Sequence, residues 1–206
     1  MWDVPPADPG FEIVVASRGM SKGIAQTDGV QVIPKAFVQF GQVQAGGQWK
    51  NVSSTVADSE AAAFVNYAPK LGHNQLTLGA AYKFQTGVKG DTDDRSFEFT
   101  TAASRKFGKL SLKLSAIYSF NDLGSARQSL FLEGGASFDI DSSTRLSANL
   151  GHRSRVNAID YTSLNAGISK TFFQRLTVDL RYHDTAQSDR GQAFEGRAVL
   201  SSRLTF

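Results

Sequence analysis

Apolar and polar residues alternate one by one along stretch after stretch of this chain, and few patterns restrict a fold as tightly. In the clearest stretch, Leu110, Leu112, Leu114, Ala116, Tyr118 and Phe120 interleave with Ser111, Lys113 and Ser115. Side chains of an extended strand point alternately to two faces, so a period of two means one apolar and one polar face. Twelve such segments can be followed: 11–18, 30–40, 43–49, an Ala-rich stretch through Val65 and Tyr67, 76–84, 97–103, 110–120, 130–140, 146–153, 164–172, 176–183 and 197–206. Their connections alternate between long polar stretches and tight turns at Gly41, Gly108, 141–143 and Gln174. Long connections on one side and short turns on the other are the rhythm of an all-β, antiparallel transmembrane β-barrel of 12 strands.

Composition removes the main alternatives. Of the 206 residues 41% are apolar, and mean hydropathy is −0.23. No run approaches the ~18 apolar residues of a membrane-spanning helix. A barrel escapes that test because only every second residue meets lipid. The absence of cysteine removes disulfides, thiol catalysis and thiolate metal sites. A formal charge of +3, with scattered Lys and Arg, gives no reason to expect nucleic acid as a partner. Met1-Trp2-Asp3-Val4-Pro5-Pro6 has neither the basic start nor the apolar core of a signal peptide, so Met1 reads as an added start on a mature chain.

A soluble barrel alternates as well, but its apolar face points inward. Here the polar face carries many charges, and the apolar segments end in Trp49, Tyr67, Tyr82, Phe84, Tyr118, Phe120 and Tyr182, as suits two membrane interfaces. Arg105 and Lys170 fall on the lipid face just before short turns, from where they can snorkel. Pro34, unable to donate to a sheet ladder, predicts a bulge. An even strand number puts both termini on one side. The expected organisation is a periplasmic tail over 1–10 and one barrel over 11–206 in the bacterial outer membrane, with both termini periplasmic. The last strand ends in Phe206 and resembles the insertion signal read by the barrel-assembly machinery. Outer-membrane lipids and lipopolysaccharide are the other expected partners.

The stretch Ser17-Arg18-Gly19-Met20-Ser21-Lys22-Gly23-Ile24-Ala25-Gln26-Thr27-Asp28-Gly29 resembles the Arg-Gly-Ile-Ser-Gln-Thr-Asp-like opening of Gcw_chp, a proteobacterial family of outer-membrane barrels. Length, strand rhythm and the terminal Phe extend the likeness loosely over the chain. This chain departs from the motif by placing Met20, Ser21, Lys22 and Gly23 between Arg-Gly and the Ile-Ala-Gln-Thr-Asp run. The resemblance implies an outer-membrane barrel and brings no settled activity or cofactor.

On the inward face, alternation collects Lys35, Lys50, Lys83, Lys113, Arg145, Arg153, Arg181, Arg197 and Arg203 against Glu98, Glu133, Asp139, Asp179 and Glu195. In a barrel such charges must be paired or hydrated. One reading is a narrow passive channel for small solutes whose cationic excess favours anions. The other is a closed structural or surface-interaction barrel, plugged by an ionic network. Eight strands are filled by side chains and sixteen leave a channel, so twelve lies between. Small inward residues such as Gly79, Ala81, Gly135 and Gly151 would leave room for water and incline the choice to a pore. A third reading, a lipid hydrolase, rests on His152-Arg153-Ser154 with Asn157 or Asn165, which resembles the serine, histidine and amide set of outer-membrane phospholipase A. Alternation sends Asn165 to the opposite face from His152, so no enzyme is expected. Asp91-Thr92-Asp93-Asp94 lacks the spacing of a calcium loop, and His73 and His183 form no metal pattern, so no metal or other cofactor is expected.

Overall fold

The computed structural model describes residues 6–53, 57–89, 93–123 and 126–206. Twelve long strands run up and down: β1 (Asp8–Ala16), β2 (Gln31–Phe40), β3 (Val43–Asn51), β4 (Ser59–Tyr67), β5 (Asn74–Thr86), β6 (Arg95–Phe107), β7 (Leu110–Ser119), β8 (Ser129–Asp139), β9 (Thr144–Arg155), β10 (Tyr161–Phe172), β11 (Leu176–Asp184) and β12 (Arg197–Thr205). Each pairs antiparallel with its sequence neighbour, and β1 pairs with β12 from Glu12↔Thr205 to Ala16↔Ser201. Closure leaves no open sheet edge, so the backbone polar groups of the wall are satisfied within it. The barrel begins at Asp8 rather than Phe11, because Asp8, Pro9 and Gly10 already pair with Gln39, Val38 and Phe37.

The distribution of side chains is inside out. Leu114, Leu150, Leu180 and Leu200 are more than half exposed, at 70%, 60%, 52% and 54%, whereas Gln31, Lys50, Glu60, Ser96, Glu98 and Arg153 are buried. A soluble protein would aggregate through such a surface, and a bilayer accepts it. Two aromatic girdles bound the apolar band. Trp49, Phe84, Phe97, Phe99, Tyr118, Phe120 and Tyr182 ring the long-loop side, and Phe11, Phe40, Tyr67, Phe107, Phe138, Phe172 and Phe206 ring the short-turn side. Arg105 and Lys170 lie over Phe107 and Phe172 at 4.9 and 5.6 Å from the ring centroids, so both cations sit at the short-turn interface.

Pro34 makes no bulge. It pairs in unbroken register with Ile13 of β1, while the ladder to β3 stops one residue later, at Lys35↔Gln48. Beyond that point the Asn51 side chain takes over, accepting from Val32 N–H at 2.8 Å and donating to the Val30 carbonyl at 2.9 Å. The missing proline donor therefore falls where a side chain has replaced the ladder.

Candidate functional site: a charged lumen with an inward segment

The lumen wall carries charges at three levels. At the short-turn end, Asp139 receives Lys106 and Arg145, both at 2.7 Å, and Glu12 faces Arg203 at 3.6 Å. Midway, Arg181 lies 3.0 Å from Asp179 and donates to Asn165 at 2.6 Å and Ser147 at 2.7 Å, and Asn149 donates to Asn165. Glu133 is faced by Lys113 and Arg181. Lys35 stands directly across from Glu12, which reaches Arg203 instead, and its ammonium lies 5.2 and 4.9 Å from the Phe37 and Phe64 rings. Lys113 is exposed and forms no salt bridge among the described residues.

At the long-loop end the charges are dense and buried. Glu98 binds Lys83 at 2.7 Å and also Lys22; Glu60 lies 3.1 Å from Lys50 and 3.9 Å from Lys83; Arg153 pairs with Asp122. Burial alone would raise the Asp122 carboxyl, but the Arg153 and Lys22 charges hold it below the ordinary carboxylate range. Lys22 comes from outside the wall. Residues 17–30, between β1 and β2, fold into the barrel as a two-rung hairpin, Met20–Ser21 against Ile24–Ala25, with Lys22 and Gly23 at its tip. Strand β6, which supplies Glu98, and strand β10 lie on opposite flanks of β1 around the barrel. The tip touches both, because the Tyr161 hydroxyl donates to the Lys22 carbonyl at 2.9 Å. The segment thus spans the mouth. Between the segment and the wall lies a cavity of about 200 Å³ lined by Lys22, Gln26, Glu60, Lys83, Glu98 and Arg153 among others.

The residues of the family-like motif explain this shape. Gln26 N–H donates to the Gly19 carbonyl at 2.8 Å, and Gly19 N–H to the Thr27 hydroxyl at 2.7 Å. The Thr27 hydroxyl in turn donates to the Gly29 carbonyl, and Arg18 donates to the Asp28 carbonyl at 2.7 Å. Arg18, Gly19, Gln26, Thr27 and Asp28 thereby tie off the base of the segment. Met20, Ser21, Lys22 and Gly23, which interrupt the motif, form the part that reaches across.

Of the sequence-derived set, Lys35, Lys83, Glu98, Lys113, Glu133, Arg145, Arg153, Asp179, Arg181, Arg197 and Arg203 all occupy inward register positions. Arg197 sits at the mouth and donates to the Glu195 and Gln192 carbonyls. Glu195 is an exposed residue of the last loop and contributes no charge to the wall. Alternation overlooked Glu12 and Lys106, both legible from it, and Glu60, hidden in the weakly patterned β4. Lys22 and Asp122 lie in loops, where no periodicity exists to find them.

The small inward residues do not hold water open. A Cβ at Gly79 would fall 2.5 Å from Asn66 Oδ1, at Gly135 2.0 Å from Asn149 Oδ1, and at Gly151 2.5 Å from the Phe131 ring. Each makes room for a large neighbour. The hydrolase constellation does not assemble either: His152 Nδ1 lies 2.9 Å from the Thr162 hydroxyl, while Asn165 is engaged in the lumen. Among the described residues no acid and histidine cluster could hold a metal ion, and Asp91 and Thr92 lie outside those residues.

No protein-family model matches the sequence, and no curated protein matches it in sequence. Solved structures do resemble it over nearly its whole length. The KdgM porin superposes with a TM-score of 0.69 at 9% identity, covering 96% of this chain and 99% of that one. The NanC porin gives 0.64 at 12%, covering 95% and 97%. An outer-membrane channel from Pseudomonas putida F1 gives 0.61 at 13%, covering 97% and 95%. The chain has the fold of outer-membrane porins and carries the apolar band and aromatic girdles that seat such a barrel in a bilayer.

Proposed function

We propose that this chain is a bacterial outer-membrane channel that passes small solutes passively through a narrow lumen, with a mild preference for anions. The observation that carries the reading is the charge of the wall: Lys113 stands exposed on the inward face, with Glu133 facing it but no salt bridge among the described residues, and Lys35 lies near two rings. A passing anion meets cations that no carboxylate holds in a salt bridge. One of the similar structures is the KdgM porin in complex with disordered oligogalacturonate, itself a polyanion. The short turns and both termini share one side, which we assign to the periplasm, with the long connections outside. Membership of the Gcw_chp family is proposed on the 17–29 motif alone. The girdles and the interfacial Arg105 and Lys170 suit contact with outer-membrane lipids and lipopolysaccharide.

The test is single-channel recording of the refolded protein in a planar bilayer, with the reversal potential under a salt gradient. Discrete steps with a reversal potential shifted toward that of the anion support the proposal. Steps without anion preference remove the selectivity and leave the channel. A second reading, a closed barrel, is favoured by one observation: residues 17–30 span the mouth.

A further inference from the structure

Resting on the channel reading, we infer that residues 17–30 are a detachable plug, and that the Met20–Gly23 insertion regulates passage by docking across the mouth and lifting from it. The distinguishing feature is what the wall retains when the segment leaves. Removing one partner of a buried ion pair is strongly destabilising, because the other charge is orphaned. Here nothing is orphaned. Glu98 keeps Lys83 at 2.7 Å, Glu60 keeps Lys50 at 3.1 Å, and Arg153 keeps Asp122. Each of these three carboxylates has a cation outside the segment as well as any that the segment offers.

The segment packs through Ile24–Ala25 on Gln192–Phe194 and through Gly23 on Ser163, and its polar contacts with the wall are few. They are the Lys22–Glu98 pair, the Tyr161 hydroxyl on the Lys22 carbonyl, the Lys50 ammonium donating to Gln26 Oε1 at 2.8 Å, and Ser53 N–H donating to the Gln26 carbonyl at 2.9 Å. Water can replace every one. The cavity of about 200 Å³ beside the segment is lined largely by polar side chains and is large enough for several waters, so water has access to the groups that separate on release. The base of the segment, by contrast, is tied within itself through Gly19, Gln26 and Thr27 and need not unfold.

The test compares three forms in planar bilayers, each first shown to be folded by heat-modifiable migration and a β-sheet spectrum. One is the natural chain. The second replaces residues 19–28 by Gly-Asn-Gly. The third carries Gly23→Cys with Ser163→Cys, since a Cβ at Gly23 would lie 2.1 Å from the Ser163 Cβ and a small lift of the tip brings the pair to disulfide range. The chain has no other cysteine. The plug requires the shortened form to conduct at least roughly twofold more than the natural chain, and the oxidised pair to fall silent and recover with reductant. Equal conductance in the shortened and natural forms, with the oxidised pair unaffected, overturns the plug and leaves the channel standing. Silence from every folded form, the shortened one included, overturns the channel reading itself.

Discussion

At the tip of the inward segment the Lys22 ammonium gives up its water on docking. Burial, reinforced by Lys83, pushes its pKa down to about 8 even though Glu98 pulls the other way. Arg153 and Asp122 are the other charges facing it. A released Lys22 keeps an ordinary pKa near ~10.4. Between about 8 and that value the docked state therefore binds fewer protons than the released one, and raising the pH favours docking. Channel openings should become rarer as the pH rises from about 8 toward ~10, as bilayer recordings at constant salt would show. Lys22→Met should keep the plug docked and remove this pH dependence, because an uncharged side chain has no hydration to regain and Glu98 retains Lys83. Tyr161→Phe works in the opposite sense. It leaves the ring packed against Phe194 at 5.4 Å but deletes the hydrogen bond to the Lys22 carbonyl. One net hydrogen bond of ~1 kcal/mol corresponds to about fivefold more open time. A pH dependence that survives Lys22→Met, with unchanged open times in Tyr161→Phe, would mean that neither residue governs the gate.

Strands and turns set what the wall tolerates. In the β2–β3 hairpin, Gly46 is confined by backbone: a Cβ there would lie 2.2 Å from the Ala36 carbonyl oxygen and 2.8 Å from the Phe37 Cα. Backbone cannot step aside as a side chain can, so Gly46→Ala should destabilise the barrel by roughly 1–3 kcal/mol. Urea unfolding followed by tryptophan emission would measure it. The β10–β11 turn is suboptimal in the other direction. Phe173 and Gln174 both adopt positive φ, 52° and 59°, and Phe173 is 92% exposed. Two-residue turns of this kind favour Asn-Gly, so Phe173→Asn with Gln174→Gly should stabilise by about 1 kcal/mol in the same assay. The 141–143 turn is already well built. Backbone and hydroxyl donors of Ser143, with Thr144 N–H, hold the Asp141 carboxyl at about 2, so it caps the turn over the whole working pH range.

For the whole molecule, lumen cations without a salt bridge should weigh more on ion selectivity than those with one. Lys113 has no ion-pair partner among the described residues, whereas Arg181 shares its charge with Asp179. Neutralising Lys113 by Lys113→Gln should therefore shift the reversal potential further toward the cation than Arg181→Gln does. An anion-to-cation permeability ratio lowered by roughly half is expected for the first. Equal effects would place the selective step elsewhere, at the mouth cluster under residues 17–30. The shared porin fold leaves room for such differences, since function lies in the side chains carried on the wall.

Alternation made the barrel legible because it is a local property. In an extended strand each residue's face follows from its neighbour's, so reading Leu110 to Phe120 gave the lipid side of β7 and, by continuation, the inward position of every charge on it. Phe107, Lys106 and Glu12 obey the same rule. What the sequence by itself determined is thus the strand count, the two faces and the girdles. The tertiary structure alone decided which charges meet, because Lys22 and Glu98 are brought together by closure of the barrel. It also decided that Gly79, Gly135 and Gly151 make space for Asn66, Asn149 and Phe131 rather than for water. And it turned residues 17–30 inward, since a loop has no period to show which way it folds, and its direction is set by partners on strands far away in sequence.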